Sequence, residues 1–205
     1  MNAIKDYYER IWAEKKEPIV SRWSHKDVVN LMKNIKPFLK AKCLDVGCGH
    51  GEKTSELNKI APTIGVDISE TAIKIAKKIN PNIEFKQGSV TNLPFPNEEF
   101  STIFAGELIE HVLDTEKMFS EFFRVLKKGG RLIIIYPEYN FLKSLVVAFF
   151  FSKHFSPTEE HIRFYTKRSL EQCLQQFGFK IFCNKRIETH FKLIPKLTLV
   201  VSRKQ

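Results

Sequence analysis

Cysteines are few in this chain and none of them are paired. Cys43, Cys48, Cys173 and Cys183 form no C-x-x-C pair and no metal-finger spacing, which argues against both a disulfide framework and a zinc ribbon and fits a reducing compartment. Long apolar runs are scarce too. The N-terminal stretch MNAIKDYYERIW is charged and amphipathic and lacks the apolar segment of a signal peptide. FLKSLVVAFFF, residues 141–151, is strongly apolar but carries Lys143 and is about half the length of a membrane span. A cytoplasmic protein without a transmembrane helix is expected, with peripheral membrane contact through 141–151 as an alternative. There is no internal repeat and no low-complexity linker. Lysines never reach a run of five, although 33 Lys and Arg against 23 Asp and Glu leave a net charge of +10. Charge spread this evenly favours a solvated surface over a nucleic-acid footprint.

What is present is enough for one core: 205 residues, 43% of them hydrophobic, predict a single domain over 1–205. From Lys42 onward, short β-rich runs alternate with helical patterns: KCLDVG then GEKTSELNKI; TIGVDI then SETAIKIAKKI; IEFKQG; FSTIFAG then TEKMFSEFFRVLKK; then RLIIIYP. Near-continuously apolar strands alternating with helices predict an α/β fold, a mostly parallel sheet covered on both faces. Ser69 reads as an N-cap, and Gly129-Gly130 as the stop of the long helix. Thr166 and Gly178 bracket another helix. The closing runs KIFCNKRIET and KLTLVVSRK predict an antiparallel hairpin at a sheet edge. Residues 1–41 read as a helical cover on the open side of the sheet.

The loop LDVGCGHGEKT, from Leu44 to Thr54, places Gly47, Gly49 and Gly51 behind Asp45 at the first strand-to-helix turn, the usual ligand cradle of an open parallel sheet. Glycines there permit a sharp turn and close approach of a ligand. A dinucleotide and a sulfonium cofactor both satisfy that geometry, but they differ in charge. Asp45, two residues ahead of Gly47, would repel a pyrophosphate and attract a cationic amino group. The dinucleotide fingerprint also spaces its last glycine differently. Asp67, ending TIGVDIS beside Ile68, lies about twenty residues beyond the glycines, where an acid can accept ribose hydroxyls. GSVTNLPFP then offers Ser89 or Val90 to an adenine edge; Leu93 and Phe95 read more readily as core.

In order and rough spacing, LDVGCGHG, GVDIS, GSVTNLPF, FAGELIEHVLD and LKKGGRLII resemble the class I S-adenosylmethionine-dependent methyltransferases, of the small-molecule type related to the ubiquinone-biosynthesis O-methyltransferases. The likeness spans about Lys42 to Gly178. It implies a Rossmann-like, seven-stranded sheet with the last strand antiparallel. It also implies that S-adenosylmethionine lies across the first strands, with the glycine loop against its methionine half, Asp67 on its ribose and Glu107 near its amino group.

The acceptor side would be GELIEHV, Gly106 to Val112. Asn-Pro-Pro-Tyr, expected of enzymes that methylate DNA bases or glutamine, is absent, and so is the Pro-Cys pair of cytosine C5 chemistry. Spacing of three and four would put Glu107, Glu110 and His111 on one helical face, able to gather a divalent ion. The resemblance extends to small-RNA 2′-O-methyltransferases that hold a metal with a Glu, Glu-His and distant His set, for which His161 is the remaining candidate. Without a metal, His111 or His161 would serve as general base, or the group would only position the acceptor. Residues 138–165 are expected to form a lid whose phenylalanines suit an apolar acceptor, though a helix packed on the core explains them equally. Tyr7, Tyr8 and Trp12 either close the cofactor side or anchor the N-terminal helix. The expectation is methyl transfer to a small, partly apolar acceptor, at oxygen. The alternatives are an RNA 2′-O-methyltransferase with a divalent metal and a non-catalytic module that binds the cofactor.

Overall fold

The computed structural model describes residues 2–14, 25–138, 163–187 and 197–205. Seven strands form one sheet: β1 (Cys43–Val46), β2 (Thr63–Asp67), β3 (Glu84–Gln87), β4 (Phe100–Gly106), β5 (Leu126–Pro137), β6 (Phe179–Ile187) and β7 (Leu197–Lys204). Their order is β3-β2-β1-β4-β5-β7-β6. Pairs from β3 through β5 are parallel, whereas β7 runs antiparallel to both β5 and β6. The expected mostly parallel sheet with its last strand reversed is what forms, and the closing hairpin puts β6 at the edge.

Helices α1 (Asn2–Glu14), α2 (His25–Ile35), α3 (Glu52–Asn58), α4 (Glu70–Ile79), α5 (Thr115–Val125) and α6 (Lys167–Gln176) accompany the sheet. Alternation along the strands splits the core in two. Ile103 and Ile134 join Met118, Phe119 and Phe122 of α5 and Leu170 and Leu174 of α6 on one face. Phe104, Ile133 and Ile135 join Val28, Leu31 and Ile35 of α2 on the other. Ser69 caps α4 by accepting from the Ala72 amide at 3.1 Å. Thr166 and Ser169 close a capping box on α6, which stops at Gly178 with φ +80°.

Two expectations are corrected. The helix through Val125 does not run on to Gly129-Gly130: Leu126 is fully buried and pairs with Phe100, and the chain enters β5 there through a register shift. Gly129, at φ +71°, serves the irregular start of a strand, not a helix cap. The N-terminal cover is also divided. Among its described residues, α2 packs on a face of the sheet together with Phe38 and Leu39, while α1 touches α4 and the glycine loop.

Candidate functional site

A cavity of about 420 Å³ opens at the carboxyl ends of β1, β2 and β4, where strand order reverses and open parallel sheets hold ligands. Gly47 and Gly49 form part of its floor, and Asp67, Ile68, Ser89, Val90, Glu107 and His111 line its sides. Sequence and geometry agree at the floor. Gly47 (φ +70°) and Gly49 (φ +53°) adopt left-handed conformations that penalise any side chain. A Cβ on Gly47 would also fall 2.8 Å from Leu108, and one on Gly49 2.8 Å from the Trp12 ring.

Asp67 ends β2 with its carboxylate turned back on the loop. Oδ2 accepts from the Gly49 amide and Oδ1 from the Ser69 amide, both at 2.9 Å. Burial pushes its pKa up, although these amide bonds pull it down. With one amide on each oxygen, lone pairs remain for a ligand hydroxyl. Glu107 follows β4 at φ +56°, an uncommon conformation for a side chain of this size, and its amide is anchored on the Ile135 carbonyl at 2.8 Å. The result is an acid-lined, glycine-floored cleft sized for a cofactor-sized molecule.

A family model described as "Methyltransferase domain" matches residues 2–184. The chain belongs to this methyltransferase family. It is 30% identical over 203 residues to an uncharacterized protein of Methanocaldococcus jannaschii, covering 98% of this chain and 91% of that protein. Demethylmenaquinone methyltransferase of Chlorobaculum parvum is 36% identical over 107 residues, 51% of this chain and 44% of that protein; the chain thus spans less than half the length of that relative. A solved S-adenosylmethionine-dependent methyltransferase of Thermotoga maritima, described as a possible histamine N-methyltransferase, superposes with a TM-score of 0.74 at 24% identity over 98% of this chain and 100% of that one; at that identity the match speaks for the fold.

The methyltransferase departs from the sequence reading at several residues. Asp45 does not line the cavity. Its carboxyl is buried beneath the loop, accepts from the Thr54 hydroxyl at 2.6 Å, and is pushed up to about 7 by burial. Its charge is therefore spent inside the loop, and the acids that line the cavity are Asp67, Glu107 and Asp114, the last paired with Lys117 at 2.7 Å. Gly51 is not on the floor either. It caps α3 at φ +84°, and a Cβ there would meet the Phe85 ring at 2.7 Å, so it is a packing glycine.

The acid and imidazole set is not one helical face. Glu107, at φ +56°, stands outside the three-residue 3₁₀ turn Ile109–His111, so no continuous helix carries all three side chains. Glu107 pairs with Lys53 at 2.9 Å. Glu110 is 1% exposed and lies behind the cavity wall, with no hydrogen-bond partner for either carboxylate oxygen among the described residues. Burial pushes it up to about 8, with Glu107 adding to the shift and Lys53 opposing it. His111 does face the cavity, its ring edge-on to Tyr8 with centroids 6.4 Å apart. No group of three His, Cys, Asp or Glu side chains among the described residues is gathered to hold a metal. His161 and most of the expected lid, 139–162, lie outside the described residues.

Sequence reasoning left Tyr8 and Trp12 between two roles and overlooked Ile4, Glu9, Ile11 and Lys53. Ile4, Tyr8, Ile11 and Trp12 all line the cavity. Their spacing along α1 is that of an apolar helix face, a signal that shows a face exists without showing what it covers.

Proposed function

We propose that this methyltransferase transfers a methyl group from S-adenosylmethionine to a small, partly apolar acceptor, at oxygen. The observation that carries the reading is the Asp67 carboxylate, held by Gly49 and Ser69 on the wall of a glycine-floored cavity that also presents Glu107. Asp67, Glu107 and the unobstructed backbone of Gly47 and Gly49 suit a cationic adenosyl amino acid and oppose a pyrophosphate. In this reading Gly47 and Gly49 take the amino-acid half, with Asp45 holding the loop from beneath and Gly51 turning it into α3. Asp67 and Ile68 receive the ribose, Ser89 and Val90 the base, and Glu107 the amino group. When bound, the cofactor supplies a methyl group on a positively charged sulfur. The protein's part is to align the acceptor with that group and receive its proton.

We assign His111 the second task, a reading supported by its position on the cavity wall beside Tyr8. His161 is kept as its partner on the acceptor side. Leu108, Val112, Leu113 and Tyr8 make that end of the cavity largely apolar, which supports an acceptor with a hydrophobic body. We read 1–205 as one domain, with 1–41 covering it and 138–165 over the acceptor. No described helix is long and apolar enough to cross a membrane, and a cytoplasmic location is proposed. The net charge of +10 keeps an RNA acceptor as the second reading.

The test is calorimetry with S-adenosylhomocysteine, followed by methyl-labelled S-adenosylmethionine in a lysate of the source cells, with labelled products sorted into lipid, small-molecule and RNA fractions. Label in the organic-soluble or small-molecule fraction supports the proposal. Label in RNA, with binding that weakens steeply with salt, favours the second reading. Absence of cofactor binding at millimolar concentration removes both.

A further inference from the structure

Helix α1 covers the cavity, and among its contacts with the rest of the chain one carboxylate reaches α4 through three hydrogen bonds. Glu9 accepts from the Ser69 hydroxyl at 3.1 Å, from the Thr71 amide at 3.2 Å and from the Glu70 amide. It therefore sits on the first turn of α4, where unpaired amides favour a negative charge. On the same helix, the Trp12 ring packs where a Cβ of Gly49 would otherwise stand and lies 5.5 Å from the His50 ring. Tyr8 meets His111 edge-on. Ile4, Tyr8, Ile11 and Trp12 are the wall that α1 adds to the cavity.

These contacts converge on Asp67. Ser69, whose hydroxyl donates to Glu9, gives its amide to Asp67 Oδ1. Gly49, covered by Trp12, gives its amide to Asp67 Oδ2. Both residues that orient the Asp67 carboxylate are thus held by α1. Two other features of the chain suggest less. The unpartnered Glu110 carboxyl lies behind the wall with no opening described beside it. The shallow cleft at Asn97, Glu98 and Lys204 presents side chains already engaged, Glu98 with Lys204 and Asn97 with Arg124.

We propose that α1 is a gate on the cofactor cavity and that Glu9 is its latch: the carboxylate holds α1 closed against α4, and the cofactor enters and leaves when that hold is released. The inference rests on the cofactor reading of the cavity. Glu9 is a positioning residue, since it acts through Tyr8, Trp12 and Ser69. Binding in the closed state stabilises the latch, and opening the latch loosens Gly49 and Ser69 together, so release of α1 and loss of the Asp67 contacts are one event.

The experiment compares the full chain with its Glu9→Ala, Glu9→Gln and Glu9→Asp variants in two measurements. The first is amide hydrogen exchange without ligand. In Glu9→Ala, residues 2–14 should exchange about tenfold faster, equivalent to about 1.4 kcal/mol of closing free energy, with the Gly49 and Ser69 amides quickening alongside them while the rest of 25–138 keeps its protection. Glu9→Gln should lie close to Glu9→Ala, and Glu9→Asp between them and the parent. The second is stopped-flow dissociation of S-adenosylhomocysteine, which should quicken by a similar factor in Glu9→Ala, with KM for the cofactor raised more than kcat is lowered. Unchanged protection of 2–14 in both Glu9→Ala and Glu9→Gln overturns the latch, as does faster exchange there with unaltered dissociation. A parent protein that fails to bind S-adenosylhomocysteine removes the cofactor reading instead, and the exchange of 2–14 still decides whether Glu9 holds the helix.

Discussion

Lys53 Nζ lies 2.9 Å from Glu107 Oε2, joining the helix that follows the glycine loop to the residue that follows β4. Both side chains are partly buried, at 19% and 30% exposure. The pair ties Glu107, on the cavity wall, to α3 and holds it in place despite a backbone conformation that disfavours it.

Glu107→Gln removes the negative charge while keeping the shape. It should weaken S-adenosylhomocysteine binding by about tenfold, or about 1.4 kcal/mol, measured by calorimetry. Lys53→Met should cost less than about 1 kcal/mol of stability, as expected for a pair in partial contact with water. A larger loss in urea denaturation would assign Lys53 a structural role.

Asp67→Ala should abolish cofactor binding at micromolar concentration and leave the sheet intact, because it removes the acceptor of two amide bonds without opening the main core. Losing a charged acceptor from two donors costs about 1.5–3 kcal/mol for each bond. Far-ultraviolet circular dichroism alongside calorimetry separates a lost site from a lost fold.

Glu110 should make the protein less stable as pH rises. Its folded pKa, near 8, lies above the ordinary 4.5, so the native state holds the proton more tightly than the unfolded chain does. That contribution is complete below the unfolded value and is lost progressively through the window from 4.5 to about 8. Glu110→Gln cannot ionise and should flatten this slope. Matched near pH 4, it should exceed the parent by roughly 5 kcal/mol near pH 9. Chemical denaturation across that range reads the difference, and parallel slopes for the two proteins would refute the assignment.

Exhaustive chelation should leave methyl transfer unchanged, and adding back magnesium, manganese or cobalt should not raise it, because Glu110 is buried and does not line the cavity with Glu107 and His111, and Glu107 is already paired with Lys53. His111→Ala should lower kcat by about a hundredfold or more if His111 receives the acceptor's proton. A loss of less than tenfold would reduce it to positioning. Loss of activity on chelation with recovery on one metal would restore the ligand set that includes His161.

Much of this was legible in the residues. Short, near-continuously apolar β-rich runs located the strands and helical patterns between them the helices, and Ser69 and Thr166 marked helix starts because their side chains satisfy amides that no helix can satisfy for itself. Gly47, Gly49 and Asp67 could be picked out because chemistry confines such residues at the ends of the first two strands. Asp45 misled, since charge was visible in the sequence and burial was not. The Glu107, Glu110 and His111 spacing misled for a related reason: a helical face exists only if the chain stays helical, and Glu107 adopts a positive φ before a turn of three residues.

The order of residues alone determined the alternating strands and helices, the glycine turn and the acid that ends β2, because each is a local requirement of backbone geometry or hydrogen bonding. Only the folded chain decided that Asp45 spends its charge on Thr54, that Glu110 is sealed behind the wall, and that α1 reaches some sixty residues along the sequence to rest on α4. Those outcomes depend on which surfaces exclude water once distant segments meet, and no local pattern carries that information.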